Sequence, residues 1–374
     1  MRVLVFPGDR YGCGAFRCIW PAQYLAEAGH DVEIRMPDAR GLRLRCNGEE
    51  VVEVLDVEPD AVYVFQRLTH SYMAQAVPLL RAAGCAVVVD VDDDLTSIHP
   101  RNPAYDSMHP RNHGKYDLTR RDINRHSWQN LTQACRDATL VTVSTPALLD
   151  VYAKHGRGHV LYNHLPESYY DVPHEDSAVF GWPAALQSHP DDPSAVGGAV
   201  ARLVSEGADF RVVGEPVGTG TAFGLLADPA GRRDISLEQW PSAVAELGVG
   251  IAPLADTRFN RCKSWLKPLE MCALGVPWVA SPRAEYARLN RLGAGVLADN
   301  PRRWYRELER LIRNPSLRED RAEEGRTLAE ALRLKDNAWR WMDAWCGAQA
   351  IQRGQTTAKA VTGARTAAPS TAAH

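Results

Sequence analysis

The chain has few of the features that mark a membrane-bound, secreted or metal-scaffolded protein. Its eight cysteines form no C-x-x-C pair, which argues against a structural zinc site and against a disulfide scaffold. The longest strongly apolar uncharged stretch, 138–149, has 12 residues, whereas a transmembrane helix needs ~20. Met1 to Phe6 leads directly into Pro7-Gly8 and does not resemble a signal peptide. We therefore expect a cytoplasmic protein without a transmembrane segment.

The chain also carries little net charge. Its 43 Lys and Arg residues nearly balance 46 Asp and Glu residues, giving a formal charge of −3, which excludes a globally basic nucleic-acid-binding protein. Hydrophobic residues make up 45% of the chain and charged residues 24%, as in ordinary folded proteins. At roughly 150 residues per domain, the length of the chain predicts two domains.

Short β-rich runs alternate with helical patterns in both halves of the chain. The predicted strands are Val3–Phe6, Val32–Ile34, Ala61–Phe65, Cys85–Val91, Ala138–Val143 and His159–Leu161, then Ala178–Phe180, Phe210–Val213, Val249–Ile251, Val276–Ala280 and Gly295–Leu297. Such alternation is typical of parallel sheets covered on both faces, so the predicted class is α/β. We expect an N-terminal domain over 1–161, a polar linker over 162–176, and a C-terminal domain over 177–335, with the ligand site in the cleft between them.

The end of the chain divides into two parts. A helix over 336–346 carries Trp339, Trp341 and Trp345, which we interpret as packing anchors. The remaining residues, 347–374, include nine Ala, five Thr and no acidic residue. We expect this segment to be a disordered tail.

A glycine-containing loop follows the first predicted strand. Gly12, Gly14 and Arg17 form the pattern G-x-G-x-x-R, which lacks the third glycine of a dinucleotide fingerprint. Glycines allow a close backbone approach, and the following helix offers free amides to an anion. A plain tight turn is the alternative interpretation.

The segment 259–281 combines basic side chains with the start of a helix. Pro268 is tolerated only in a first helical turn, which predicts Ser264 as the N-cap residue. The free amides, the Ser264 hydroxyl and the ammonium groups of Lys263 and Lys267 then converge in a way that suits a diphosphate. Glu270 lies one turn further on the same face, where a carboxylate can accept two hydrogen bonds from a ribose diol. A capped surface helix with a Lys267–Glu270 ion pair is the alternative.

These residues resemble the donor-binding segment of retaining nucleotide-sugar glycosyltransferases with the GT-B fold. The run Ala273–Ser281, the loop with Gly12, Gly14 and Arg17, and the segment Val141–Pro146 are similar to the corresponding parts of such enzymes. The resemblance implies two Rossmann-like domains that face each other across a cleft, with the C-terminal helix crossing back to the N-terminal domain.

The resemblance also implies transfer of a sugar from a nucleoside-diphosphate sugar, with no cofactor and no metal. Lys263, Ser264 and Lys267 would contact the phosphates, and Glu270 the ribose. Lys267 would act in catalysis by stabilising the leaving diphosphate. The glycine loop, including Arg17, would approach the donor from the other domain. The acceptor is left open among a glycan, a glycolipid, a protein and a modified DNA base.

The chain departs from this family at two places. Cys262 occupies the position of the first acid of a Glu-x7-Glu pair, which leaves open a protein that binds nucleotide sugars without turnover. The Arg and Lys that many members carry after the first strand of the C-terminal domain are absent from the stretch 181–191. His189 is the candidate substitute, and a solvated loop histidine is the alternative.

Four carboxylates cluster at the end of a predicted strand, within Asp90–Asp94. They would repel one another, so a partner or a raised pKa is expected. In the glycosyltransferase interpretation, Asp92, Asp93 or Asp94 binds sugar hydroxyls, and we take Asp92 and Asp94 as catalytic candidates. Alternatives are a metal–diphosphate site, a haloacid-dehalogenase-like phosphatase with Asp90 as nucleophile and Asp92 as general acid, and plain solvated acids.

Residues 101–136 form a basic and aromatic insertion, predicted as an acceptor-side loop followed by a helix from about Asp122. His109 and His113 have zinc-like spacing only on a helix, and Pro110 and Gly114 argue against one. The local positive charge would suit a phosphate-bearing acceptor such as DNA or a lipid phosphate, but a solvated face is favoured.

Overall fold

The computed structural model describes residues 1–36, 41–102, 105 and 120–366, and only the backbone of 120–125, 284 and 356–366. His109, Pro110, His113, Gly114 and most of the predicted acceptor-side loop lie outside the described residues. The described part contains two six-stranded sheets and one two-stranded sheet. Both six-stranded sheets are parallel throughout, which confirms the predicted α/β class.

The first sheet is built from strands of the N-terminal half. Its members are β1 (Val3–Phe6), β2 (Val32–Ile34), β5 (Val62–Gln66), β6 (Ala86–Val91), β7 (Leu140–Val143) and β8 (Gly158–Val160). Their order is β2-β1-β5-β6-β7-β8. The inner strands β1, β5, β6 and β7 are short and buried throughout, as is typical of a covered parallel sheet. All six strands of this sheet lie within two residues of their predicted positions.

The second sheet is built from strands of the C-terminal half. Its members are β9 (Phe180–Trp182), β10 (Phe210–Val213), β11 (Ala230–Arg232), β12 (Val249–Ala252), β13 (Trp278–Ala280) and β14 (Val296–Leu297). Their order is β11-β10-β9-β12-β13-β14, the strand order of the Rossmann fold. The sequence did not predict β11, an exposed edge strand without an apolar run.

A β-hairpin on the N-terminal domain was also missed. It consists of β3 (Arg43–Asn47) and β4 (Glu50–Leu55), which pair antiparallel. Most of its residues are exposed, so it has no continuous apolar run. Val51 and Val54 are buried, and this inner face holds the hairpin on the domain.

Fifteen helices lie in the described part of the chain. They are α1 (Gly12–Gly14), α2 (Trp20–Glu27), α3 (Ser71–Ala82), α4 (Arg120–Asp137), α5 (Pro146–Tyr152), α6 (Ala199–Ser205), α7 (Thr219–Phe223), α8 (Trp240–Ala245), α9 (Arg258–Arg261), α10 (Leu266–Ala273), α11 (Ala284–Arg291), α12 (Pro301–Arg313), α13 (Pro315–Glu330), α14 (Leu334–Asn337) and α15 (Trp339–Thr366). A π-helical turn, Ala15–Ile19, joins α1 to α2. None of them is long and apolar enough to cross a membrane.

The C-terminal helix crosses back to the N-terminal domain, as predicted. Trp341 and Trp345 are each 1% exposed and belong to the same apolar cluster as Val3, Val62 and Val88 of the first sheet. These tryptophans are therefore packing anchors. Trp339, in contrast, is 54% exposed.

The predicted disordered tail is wrong for residues 347–366, because α15 continues through them. Ala348 is fully buried, and Gln352 is 5% exposed. The Gln352 side chain accepts a hydrogen bond from Thr139 Oγ1 (3.2 Å) and donates one to the carbonyl of Arg81 (2.9 Å). Alanine favours helix, and these tertiary contacts stabilise the C-terminal part of α15 further. Residues 367–374 lie outside the described part.

We expect Gln352→Ala to lower the free energy of unfolding by about 1–3 kcal/mol, because it leaves buried polar groups without partners. Urea unfolding followed by circular dichroism measures this. Gln349→Ala, which removes an exposed hydrogen bond to Asp60 from the same helix, is the control and should cost below about 0.5 kcal/mol. Equal, negligible effects of the two changes would contradict a docked helix.

Candidate functional site

The second sheet has a topological switch point between β9 and β12, where the strand order reverses. In open parallel sheets, ligands bind in the crevice outside the carboxyl ends of the strands at such a point. The segments that follow these two strands, 183–191 and 253–265, therefore flank the expected site. They contain His189, Lys263 and Ser264.

The start of α10 differs by one residue from the prediction. The helix begins at Leu266 and its N-cap residue is Trp265, not Ser264. The Trp265 indole donates to the carbonyl of Asn163 (2.8 Å) and stacks on Tyr162, which fixes it at the helix end. The Ser264 hydroxyl lies just outside, where it accepts from the Leu266 amide (3.5 Å) and from Asn163 Nδ2 (3.0 Å).

Lys267 is half-buried in the first turn of α10. Its ammonium donates a hydrogen bond to the carbonyl of Pro183 (2.7 Å), at the end of β9. Burial lowers the pKa of Lys267, and the nearby charge of Lys263 acts in the same direction. The alternative Lys267–Glu270 ion pair does not form, since Glu270 bonds elsewhere. An anion placed beside Lys267 would compensate this poorly solvated charge.

Glu270 is 7% exposed and accepts a short hydrogen bond from the hydroxyl of Tyr169 (2.6 Å), which lies in the linker between the two domains. Burial raises the pKa of Glu270, while the Tyr169 hydrogen bond and the Lys267 charge oppose the rise. Sequence patterns do not reveal the contact between Tyr169 and Glu270, because the two residues are 101 positions apart.

Lys263 reaches across to the N-terminal domain. Its ammonium lies 2.9 Å from Asp93 Oδ1 and 4.4 Å from the centroid of the Phe259 ring. Burial alone would lower the pKa of Lys263, but the Asp93 carboxylate raises it above its usual value. The predicted phosphate-binding lysine thus has a carboxylate partner in this structure.

His189 is held by a buried carboxylate. Its Nδ1 lies 2.7 Å from Asp192 Oδ2, and since a carboxylate only accepts, Nδ1 carries the proton. Asp192 Oδ1 accepts from Asn260 Nδ2 (2.6 Å) and from the Ala255 amide (3.0 Å). Burial, and then the charge of Lys267, lower the pKa of His189 to about 4. The imidazole is therefore neutral at pH 7 and is not a simply solvated loop histidine.

Asp192 and Asn260 were not singled out from the sequence, although both follow strands that end at the switch point. Together with His189 they line a cavity of about 180 Å³ whose opposite wall includes Ile98 and Asn102 of the N-terminal domain. The cavity lies between the two domains, and of the predicted donor-binding residues only His189 lines it. That the cavity is the ligand site stays a prediction.

Arg17 is not a ligand-binding residue. Its side chain is 1% exposed, and Nε and the second terminal nitrogen bond the two oxygens of Asp90 (3.0 and 2.8 Å). The remaining nitrogen donates to Asn163 Oδ1 (2.9 Å) and to the carbonyl of Leu161. The predicted contact between Arg17 and a donor is therefore wrong.

Gly14 is needed for packing. A Cβ atom there would lie 1.9 Å from the carbonyl oxygen of Asp9, and its amide donates to Asp9 Oδ1 (3.0 Å). The Gly14 amide is therefore engaged within the loop, and its role in donor binding stays a prediction. Gly12 is helical, and a Cβ atom on it would have no heavy atom within 4 Å. Its role in donor binding stays a prediction.

The phosphatase alternative fails at its nucleophile. Asp90 is 2% exposed and bonds Arg17 and the Thr142 hydroxyl (2.7 Å). Asp92, the expected general acid, forms a bidentate pair with Arg67 (2.6 and 2.7 Å). Burial would raise the pKa of Asp92, but Arg67 lowers it below its usual value. A carboxylate with that pKa is a poor proton donor.

The catalytic assignments of Asp92 and Asp94 need correction for the same reason. Both oxygens of Asp92 are engaged by Arg67. Asp94 is fully buried and accepts from Thr96, from Ser97 (2.6 Å) and from Arg258 Nε (3.0 Å). Neither carboxylate is free to bind sugar hydroxyls.

Arg67 was missed, although it directly follows β5, whose neighbours β1 and β6 carry the glycine loop and the acid cluster. Its backbone has a φ of +53°, uncommon for a residue other than glycine. Its guanidinium donates to Cys13 Sγ (3.0 Å) in addition to Asp92. A charged residue at the end of a buried strand is the signal that could have identified it.

Within the described residues, no group of three or more His, Cys, Asp or Glu side chains is arranged to hold a metal ion. The four carboxylates of the Asp90–Asp94 cluster instead accept hydrogen bonds from separate basic or hydroxyl partners. The metal–diphosphate alternative therefore has no support from this geometry.

The fold is similar to those of solved glycosyltransferases. HepE from Anabaena, crystallised in complex with UDP and glucose, matches with a TM-score of 0.59 and 13% identity over 92% of this chain and 98% of that chain. WaaG, a glycosyltransferase involved in lipopolysaccharide biosynthesis, matches with a TM-score of 0.56 and 13% identity over 92% of this chain and 99% of that chain.

Sucrose-phosphate synthase from Thermosynechococcus elongatus matches with a TM-score of 0.54 and 12% identity, over 97% of this chain and 100% of that chain. These similarities confirm the predicted GT-B fold, with two Rossmann-like domains. No protein-family model and no curated protein sequence matches the chain.

We expect Lys267→Met to raise the pKa of His189 above its value of about 4, because it removes a positive charge that disfavours the imidazolium. An NMR titration of the histidine ring signals measures this, with the exposed Lys154→Met as control. An unchanged His189 pKa in Lys267→Met would show that the two side chains do not interact.

Proposed function

We propose that the protein is a glycosyltransferase that binds a nucleoside-diphosphate sugar on its C-terminal domain and transfers the sugar to an acceptor. The observation that carries this proposal is the half-buried Lys267 ammonium at the switch point of the second sheet, with its lowered pKa and a carbonyl as hydrogen-bond partner. Such a group gains most from an anionic ligand. Lys263 and Ser264 lie beside it along the chain.

Side chains at and near the start of α10 match the diphosphate and the ribose of the donor. Lys263, Ser264 and Lys267 bind the diphosphate, and Glu270 accepts hydrogen bonds from the ribose hydroxyls. His189 lies on the same side, where a bound diphosphate would raise the pKa of its imidazole and allow Nε2 to donate. These roles agree with the resemblance to GT-B enzymes, in which no cofactor takes part.

Lys267 also has the chemistry that the transfer step requires. Breaking the bond between the sugar and the diphosphate places new negative charge on the leaving phosphate. A fixed ammonium at that oxygen stabilises the transition state. Retention of configuration is the outcome that the family resemblance favours.

The N-terminal domain forms the acceptor side, and Gly12 is the candidate residue of its glycine loop for a contact with the donor. A glycan, a glycolipid, a protein and a modified DNA base are the candidate acceptors, and nucleic acid is not favoured. The Cys262 side chain is 4% exposed. Cys262 occupies the position at which the family usually carries its first acid, so this chain has no carboxylate there. This supports one alternative: a protein of the same fold that binds the donor without turnover.

Isothermal titration with UDP, GDP and ADP tests donor binding. We expect one nucleotide to bind below millimolar Kd, and Lys267→Ala to weaken it by about 10- to 100-fold, the loss of a charge-assisted hydrogen bond. Lys154→Ala, an exposed lysine, is the control. Absence of binding by all three nucleotides would overturn the proposal. Transfer or hydrolysis of the sugar would exclude the silent alternative.

The Asp93–Lys263 pair gives a second test. A diphosphate must compete with the Asp93 carboxylate for Lys263, so Asp93→Asn should tighten nucleotide binding by about two- to fivefold, the strength of a partly exposed ion pair. Arg101→Ala, which breaks another contact between the domains at Asp191 (3.4 Å), is the control. Weaker binding in Asp93→Asn would mean that Lys263 does not contact the phosphates.

A further inference from the structure

Tyr169 makes a buried contact that the proposed mechanism does not yet use. Its side chain is 1% exposed, and its hydroxyl donates to Glu270 Oε1 at 2.6 Å. It belongs to a short 3₁₀ turn, Glu167–Tyr169, in the linker. Its ring also lies 6.2 Å from that of Phe16 in the N-terminal domain.

The contact restricts how Glu270 can present its carboxylate. A glutamate side chain has three rotatable bonds, and a ribose diol needs both donors satisfied by a carboxylate in a fixed orientation. A short hydrogen bond to one oxygen removes most of that freedom before the ligand arrives. Preorganisation of this kind raises affinity without adding a contact to the ligand.

Resting on the donor site proposed above, we infer that Tyr169 is a positioning residue: its hydroxyl orients the Glu270 carboxylate toward the ribose hydroxyls of the nucleotide. Tyr169 itself does not touch the donor. The protein's preference for a nucleotide with an intact ribose diol therefore depends on a side chain of the linker.

The neighbouring residue provides a matched control. Tyr170 follows in the same linker, and its hydroxyl donates to the carbonyl of Ala329 in α13 (2.8 Å). Burial raises the pKa of both phenols. Tyr169→Phe and Tyr170→Phe therefore each remove one hydroxyl and one hydrogen bond, but only the first affects Glu270.

The experiment compares the Kd of the nucleotide that binds, among UDP, GDP and ADP, with that of its 2′,3′-dideoxy analogue. We expect Tyr169→Phe to weaken binding of the ribonucleotide by about five- to tenfold, which corresponds to the loss of one hydrogen bond. Binding of the dideoxy analogue should not change. Tyr170→Phe should change neither. Equal weakening of both nucleotides by Tyr169→Phe, or no effect on either, would overturn the inference.

Combining Tyr169→Phe with Glu270→Ala provides a second test, because Tyr169 acts on the ribose only through the Glu270 carboxylate. Once Glu270→Ala has removed that carboxylate, adding Tyr169→Phe should leave the Kd of the ribonucleotide unchanged. A further weakening in the double variant would overturn the inference. Failure of the wild-type protein to bind any nucleotide would instead count against the proposed function.

Discussion

The buried pair of Arg17 and Asp90 is the interaction on which the rest of the site depends. It joins the helical turn after β1 to the end of β6, and Arg17 also bonds Asn163 of the linker, while its carbonyl accepts from the Trp341 indole of α15 (2.9 Å). Asn163 in turn donates to Ser264 at the start of α10. A chain of hydrogen bonds therefore runs from the N-terminal sheet to the donor site. Removing one partner of such a pair leaves an uncompensated buried charge, which costs about 3–5 kcal/mol.

The two faces of the cleft carry complementary charges. Asp93 and Asp94 extend from the end of β6, and Lys263 and Arg258 face them from the segment before α10. Because Asp90 is fixed by Arg17, the following acids leave the sheet at a defined position. The Asp93 carboxylate neutralises Lys263, so in the proposed function a phosphate group must replace this carboxylate rather than enter an open cationic site. Lys267, without a carboxylate partner among the described residues, differs from Lys263 in this respect.

The sequence predicted what depends on local patterns and missed what depends on distant partners. The inner strands of both sheets were recognisable because inner parallel strands are buried on both faces, whereas the exposed edge strand β11 was missed. The start of α10 was recognisable, within one residue, from Pro268. Arg17 follows a glycine loop as a phosphate-binding residue would, and only its partner 73 positions away shows its structural role. Likewise, the alanine-rich composition after Gly347 gives no sign that Gln352 meets Thr139 on the first sheet. The exposed hairpin has no apolar run for such an analysis to detect.

The linker contributes more to the site than a connection between domains. Tyr162 stacks on Trp265, Asn163 donates to Ser264, and Tyr169 donates to Glu270. Three linker side chains therefore contact α10 or the two residues just before it. The same segment packs against Phe16 of the N-terminal domain. Groups that hold the two domains together thus also contact the side chains of the proposed donor site. The position of the domains and the geometry of the proposed donor site are therefore coupled through the direct contacts of these linker side chains.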